Sequence, residues 1–94
     1  MELDGKLIER DGHDYLKEAL NFPDYYGKNL DALYDCLCEI KMNITLVNSD
    51  CVSSDIIDTF IDAASENELL NFEYEWFNYK LYENKYIHVI LWRV

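Results

Sequence analysis

Asp31, Asp35 and Glu39 recur at four-residue steps in the stretch Lys28–Ile40. On a helical wheel of about 100° per residue they form one ridge, with Lys28 among them, while Leu33, Cys36, Leu37 and Ile40 take the other side. Tyr34 falls between ridge and apolar face. Just before this helix, Asp24-Tyr25-Tyr26-Gly27 sets two adjacent aromatics in a polar turn. Either tyrosine can plug the core or form a binding rim, because tyrosine joins an apolar body to a polar tip. A row of carboxylates is also what any solvated helix face can show. Its natural electrostatic match is a basic partner, and it does not suit acid–base work. A glycosidase needs two carboxylates in unlike environments across a cleft, and here both would share one exposed face. No nucleophile–base pair and no Gly-rich phosphate loop is evident, and there are only three glycines. His13 and His88 are far apart, and Cys36 and Cys38 point about 200° apart on a helix, so neither pair chelates one metal. The expectation is no enzyme, no metal and no cofactor.

The charge balance supports a basic partner. The 94 residues carry 19 acids and 8 bases, a net charge of −11. A basic footprint for nucleic acid is missing, as is attraction to an anionic membrane surface. From Met42 to Tyr79 there are acids but neither lysine nor arginine, a self-repelling arrangement unless something positive meets it. Asp55, Asp58, Asp62 and Glu66 repeat the ridge design on a later helix. The two ridges and the tyrosine loop would make a negative concave or flat patch.

The elements that position these residues follow from periodicity. Half the residues are hydrophobic, enough for one core, and residues 1–94 read as a single domain. Leu3 to Ile8 reads as a short strand running into a Gly turn. Asp11 reads as the N-cap of a first helix that ends at Asn21-Phe22-Pro23. The ridge helix spans Lys28 to about Ile40. Asn43 to Val47 is a β-branched strand, and Ser53 or Ser54 opens a helix to about Glu66. Tyr86 to Val94, apolar nearly throughout, reads as a final central strand. Phe72, Tyr74 and Trp76 alternate with Glu73 and Glu75, as in one side of a hairpin; a helix there is the alternative. The order β, α, α, β, α, β gives an α/β fold with a parallel sheet. The start Met1-Glu2-Leu3-Asp4 shows no secretion signal and no apolar run is long enough to span a bilayer. The three cysteines therefore read as free thiols in the cytoplasm.

The run Phe22-Pro23-Asp24-Tyr25-Tyr26-Gly27-Lys28-Asn29-Leu30-Asp31-Ala32-Leu33-Tyr34-Asp35-Cys36-Leu37 resembles the signature of the barstar family, small intracellular inhibitors of secreted barnase-type ribonucleases. The likeness runs from about Leu3 to Leu37 and is weaker beyond. It implies a small three-stranded parallel sheet packed by helices, here with an extra aromatic-rich segment, Glu68 to Lys85, inserted before the last strand. It also implies that the loop and ridge helix plug a nuclease active site. By that resemblance Asp35 matches the acid that takes the place of the substrate phosphate, and Asp31 a second acid pairing with an arginine. Tyr25 matches a tyrosine packed over the catalytic histidine. Tyr26, Gly27 and Asn29 frame the loop, Tyr34 stands where the family often has tryptophan, and Asp62 matches an acidic contact on a later helix. Ile40 stands near where an aromatic often adds contact area, and the chain is about ten residues short between Val47 and Phe60. The implied partner is a basic extracellular ribonuclease, bound by a monomer as a 1:1 complex. The alternative is an acidic interaction or immunity module for another basic protein.

Overall fold

The computed structural model describes residues 1–76, 79–83 and 90–93, with side chains described as far as Tyr74. The elements run β1 (Glu2–Asp4), α1 (Gly5–Asp11), α2 (His13–Leu20), α3 (Leu30–Leu37), β2 (Met42–Val47), a 3-10 turn (Ser49–Cys51), α4 (Ser54–Glu66), β3 (Leu70–Trp76), β4 (Tyr79–Glu83) and β5 (Ile90–Arg93). The strands lie in spatial order β1-β2-β3-β4-β5. The first three pair in parallel, with Leu3 opposite Leu46 and Ile44 opposite Phe72. β4 and β5 are added antiparallel. The α/β fold with a three-stranded parallel sheet and helices is thus present.

Strand alternation divides the parallel sheet into two unlike faces. Leu3, Ile44, Leu46, Leu70 and Phe72 are buried with Leu16, Leu33, Leu37 and Phe60 of the helices. Phe60 stacks on Phe72 with ring centroids 4.9 Å apart. The opposite face is a polar ladder: Asn71 Nδ2 donates to Asn43 Oδ1 at 2.7 Å, and Thr45 Oγ1 donates to Glu73 Oε1 at 2.8 Å. Register places each of these pairs directly across the β2–β3 seam, where such cross-strand contacts stabilise a sheet.

Two expectations are corrected. Gly5 to Ile8 is helical rather than strand: Asp4 Oδ1 accepts from Lys6 N at 2.9 Å and caps α1. A Cβ on Gly5 would stand 2.0 Å from the Asn48 carbonyl oxygen, so only glycine lets α1 start this close to the end of β2. The first helix is consequently two, broken at Gly12, whose φ of 58° favours glycine; Asp11 ends α1 and pairs with Arg10 rather than capping α2. The second correction concerns the last parallel strand. That place belongs to β3, the Phe72/Tyr74/Trp76 segment, and the apolar C-terminal segment supplies β5 at the edge of the sheet instead of its centre. The hairpin reading of Phe72–Trp76 agrees with the β3–β4 pairing. Phe77 and residues 84–89, which include most of the Tyr86–Val94 run's first half, lie outside the described residues.

Candidate functional site

α3 is fixed from both ends. Asn29 is extended, and its Oδ1 accepts from Ala32 N at 2.8 Å while its Nδ2 donates to the Gly27 carbonyl at 3.3 Å. Such a cap stabilises a helix by about 1 kcal/mol. At the other end the last turn tightens: Cys38 N donates to Tyr34 O at 2.9 Å and Glu39 N to Cys36 O at 3.2 Å. Asn67, just past α4, then donates its side-chain amide to the Leu37 and Ile40 carbonyls at 3.0 and 2.7 Å, satisfying oxygens that the helix end leaves open. Leu33 and Leu37 are fully buried, whereas Asp31, Asp35 and Glu39 are exposed. Asp31 and Asp35 therefore lie exposed on α3, while Glu39 stands beyond its end, because the helix is shorter than the expected Lys28–Ile40 span.

The loop before α3 is held from beneath. Tyr26 is buried against Phe22 at a centroid distance of 4.8 Å, and its hydroxyl lies 2.6 Å from His13 Nδ1 on α2. Burial, with the nearby Cys36, pushes the Tyr26 phenol up to about 12. Burial also lowers the His13 pKa, against a smaller opposing effect of Asp14. Together these favour a neutral imidazole accepting from a protonated hydroxyl. Lys28, not Gly27, takes the left-handed position, with φ of 53°. Its Nζ meets Asp14 Oδ1 at 2.7 Å. Gly27 is exposed and an added Cβ would have ordinary contacts from 3.4 Å. With Tyr26 turned inward, Tyr25 is left 87% exposed.

Tyr25, Asp35 and Glu39 rim one groove of about 360 Å³, whose wall includes Pro23, Cys36 and Ile40. Burial raises the Cys36 thiol pKa, and Glu39 and then Asp35 raise it further, so the thiol reports the negative field there. On the other flank, the Cys38 thiol beside the Tyr34 hydroxyl is the main cause of that phenol's raised pKa. Burial comes next, with Glu66 and Asp62 adding their charges. α4 thus brings Asp62 and Glu66 alongside Tyr34. Asp58 lines a separate cleft with Asp50 and Tyr74, so the α4 ridge does not merge along its whole length with that of α3.

Of the residues nominated from the sequence, Tyr25, Gly27, Asn29, Asp31, Asp35 and Asp62 are exposed, Tyr34 is half-buried, and Tyr26 belongs to the core. His13, Asn67 and the groove position of Glu39 were missed. Their signals are tertiary: an imidazole thirteen residues from its tyrosine and an amide 27 and 30 residues from its two carbonyls. The three cysteines are free thiols. Among the described residues no cluster of three or more histidine, cysteine or acidic side chains could hold a metal.

The family model described as Barstar (barnase inhibitor) matches residues 2–70. The chain belongs to the barstar family. Its family is one of inhibitors, not of enzymes. The match ends at the first residue of β3, so the antiparallel strands β4 and β5 of this barstar-family chain lie beyond it. A protein of Bacillus subtilis (strain 168) named "Putative ribonuclease inhibitor YrdF" is 61% identical over 36 residues, covering 37% of this chain. The matched stretch spans 40% of that relative's length. No solved structure matches the chain. None of the described helices is long and apolar enough to cross a membrane.

Proposed function

We propose that the protein inhibits a basic, barnase-like secreted ribonuclease by placing α3 and the Tyr25 loop in its active site. The observation that carries this reading is the placing of Tyr25 and Asp35 on one groove, with Asp31 exposed on the same helix. A ribonuclease site is cationic because it stabilises phosphate and the charge of its transition state. Carboxylates already fixed on a capped helix can enter such a site with little ordering cost. Asp35 takes the place of the phosphate, Asp31 and Asp62 pair with cations around it, and the Tyr25 ring covers a ribonuclease side chain. Tyr34, Gly27 and Asn29 complete the contact, while Tyr26 serves from beneath by setting the loop. The long-range field of an acidic protein speeds the encounter.

This reading puts the inhibitor in the cytoplasm, protecting the producing cell as a monomer in a 1:1 complex. Titration of the protein into a panel of basic microbial ribonucleases tests it: RNA cleavage should cease at one equivalent of inhibitor. If no member of the panel is bound or slowed, the ribonuclease reading is lost. Capture of a different basic protein by the same α3 surface would replace it.

A further inference from the structure

We infer that the cleft between the 3-10 turn and the start of α4 is a second binding site, for a small primary alkylammonium ion. It lies apart from the α3 surface and does not depend on the inhibitor reading. The cleft has a volume of about 250 Å³ and opens beyond the carboxyl end of β2, the side of an open parallel sheet on which ligands are commonly bound. Ser49 lines its base and is only 2% exposed. The Ser49 hydroxyl has no hydrogen-bond partner among the described residues. A buried hydroxyl left in this way destabilises the fold, a cost that a hydrogen-bonding group entering the cleft removes. The side chain turns about a single torsion, so its oxygen can meet such a group.

The turn that carries Ser49 is held rigidly. Asn48 takes the left-handed conformation, with φ of 54°, and its Nδ2 donates to Asp4 Oδ1 at 2.9 Å. The Asn48 carbonyl accepts from Cys51 N and the Ser49 carbonyl from Val52 N, both at 3.0 Å. The turn is thus bonded within itself and to β1, and the Ser49 hydroxyl is left over. Val52, Ile57 and the half-buried Tyr74 give the cleft an apolar wall. Tyr74 stacks on Phe72 with ring centroids 5.5 Å apart, which fixes that wall to the core.

The lining sets the charge and the hydrogen-bonding type of the ligand. Asp50 and Asp58 stand exposed at the rim. Neither has an ion-pair partner among the described residues, whose bridges are Arg10–Asp11, Lys17–Asp24 and Lys28–Asp14, and the stretch Met42 to Tyr79 contains no lysine or arginine. Two carboxylates oppose an anion, although the cleft borders the first turn of α4 at Ser54. Among the described residues no third histidine, cysteine or acid joins them to make a metal site. An ammonium group carries three N–H donors, and the two carboxylates and the Ser49 oxygen are three acceptors. Its alkyl chain would lie along Val52 and Ile57, with the Tyr74 ring attracting the charge.

The test follows backbone amide NMR shifts of the intact protein at constant ionic strength, with n-butylammonium as the probe. Tetramethylammonium has the same charge without an N–H, n-butanol has the chain without the charge, and magnesium stands for a metal. n-Butylammonium should shift Ser49, Asp50, Ser54 and Asp58 saturably, and the other three should not. Ser49→Ala and Asp58→Asn should each weaken the response at least tenfold, the loss of one hydrogen bond to a charged group. Glu18→Gln, exposed on α2, should leave it unchanged. Ser49→Ala should unfold at no lower urea concentration than the wild type, because it removes an unpartnered hydroxyl. Equal shifts with tetramethylammonium would show only the ion atmosphere of an acidic protein and overturn the inference. An equal or stronger response to n-butanol or magnesium, or an unaltered response in Ser49→Ala, would also overturn it. So would a loss of stability in Ser49→Ala, since the hydroxyl would then be bonded within the fold. Nα-acetyl-lysine amide separates the two sources of such a group. A response matching that of n-butylammonium supports a lysine side chain as the ligand, and a response to n-butylammonium alone supports a free amine.

Discussion

Asp35→Ala separates binding from folding because the two effects should have opposite signs. Asp35 is exposed on α3, beyond its first turn, with Asp31 four residues before it and Glu39 four after. It therefore gains little from the helix dipole and is repelled by both neighbours, by about 0.2–0.5 kcal/mol each. Alanine is in addition the best helix former, by up to about 0.7 kcal/mol over ordinary residues. The variant should be more stable than the wild type by about 0.5–1 kcal/mol, read as a higher midpoint of urea unfolding with the same slope. In the proposed complex Asp35 would lie among cationic groups of the nuclease, and truncation would leave those charges without a counterion. The cost to binding should be at least about 2 kcal/mol, or roughly 30-fold in Kd. Asp31→Ala and Asp62→Ala should cost less, about 0.5–2 kcal/mol, as partly solvated members of the patch. Glu18 on α2 is the control, because Asp14 pairs with Lys28 of the loop and is not independent of the surface. Calorimetric titration against an inhibited ribonuclease measures all four variants. If Asp35→Ala loses stability along with affinity, its role is structural. If it binds like the wild type, α3 is not the inhibitory surface.

Four further outcomes are expected. Asn29→Ala removes the bond to Ala32 N and should cost about 1 kcal/mol of unfolding free energy; an unchanged urea midpoint would show that α3 does not depend on this cap. Asn67→Ala leaves the Leu37 and Ile40 carbonyls without their side-chain donor, so about 1–3 kcal/mol should be lost, with faster amide exchange at Cys38 and Glu39 as the local sign. Burial lowers the His13 pKa from its ordinary 6.5, so the unfolded chain takes up the proton first and stability should fall as pH drops through that range; His13→Gln should flatten this limb of the stability profile, and a limb unchanged by the variant would assign the slope to other groups. Raising ionic strength from about 0.01 to 1 M shortens the screening length from roughly 30 to 3 Å, so the association rate with a ribonuclease should fall steeply and the dissociation rate little, whereas a salt-independent association rate would remove electrostatic steering.

What was legible in the sequence was what repeats. The α3 and α4 ridges, the buried Leu33 and Leu37 and the β2 strand follow from periodicities that a single segment contains. What was not legible depends on a second segment arriving. Gly5 to Ile8, with Leu7 and Ile8 adjacent, has the composition of a strand end. It becomes a helix because Asp4 caps it and Gly5 can approach the Asn48 carbonyl. The C-terminal segment reads as a central strand because its residues are apolar on both faces. The parallel sheet here needs no such strand, since its outer face is the Asn43–Asn71 and Thr45–Glu73 ladder. An alternating strand such as β3 fits it, with Phe72 inward and Glu73 outward, and it directly follows α4 in the chain. The two tyrosines of the loop illustrate the same limit: nothing local distinguishes them, and only the His13 imidazole and the Phe22 ring decide that Tyr26 turns inward.

The division of labour in the site follows from that last choice. A surface made of like charges cannot organise itself, because each acid repels its neighbours and none supplies a contact that fixes another. Here the exposed groups Tyr25, Asp31, Asp35 and Glu39 are placed almost entirely by residues that do not share their surface. Tyr26 and His13 hold the loop from below, Asn29 starts the helix, Leu33 and Leu37 anchor its inner face, and Asn67 fastens its end. The electrostatic strain is thus carried by hydrogen bonds and burial elsewhere, and it is relieved only when positive charge arrives. A helix held in this way presents its carboxylates already in position. The ordering cost has been met during folding, so attraction to a basic partner can appear as binding free energy.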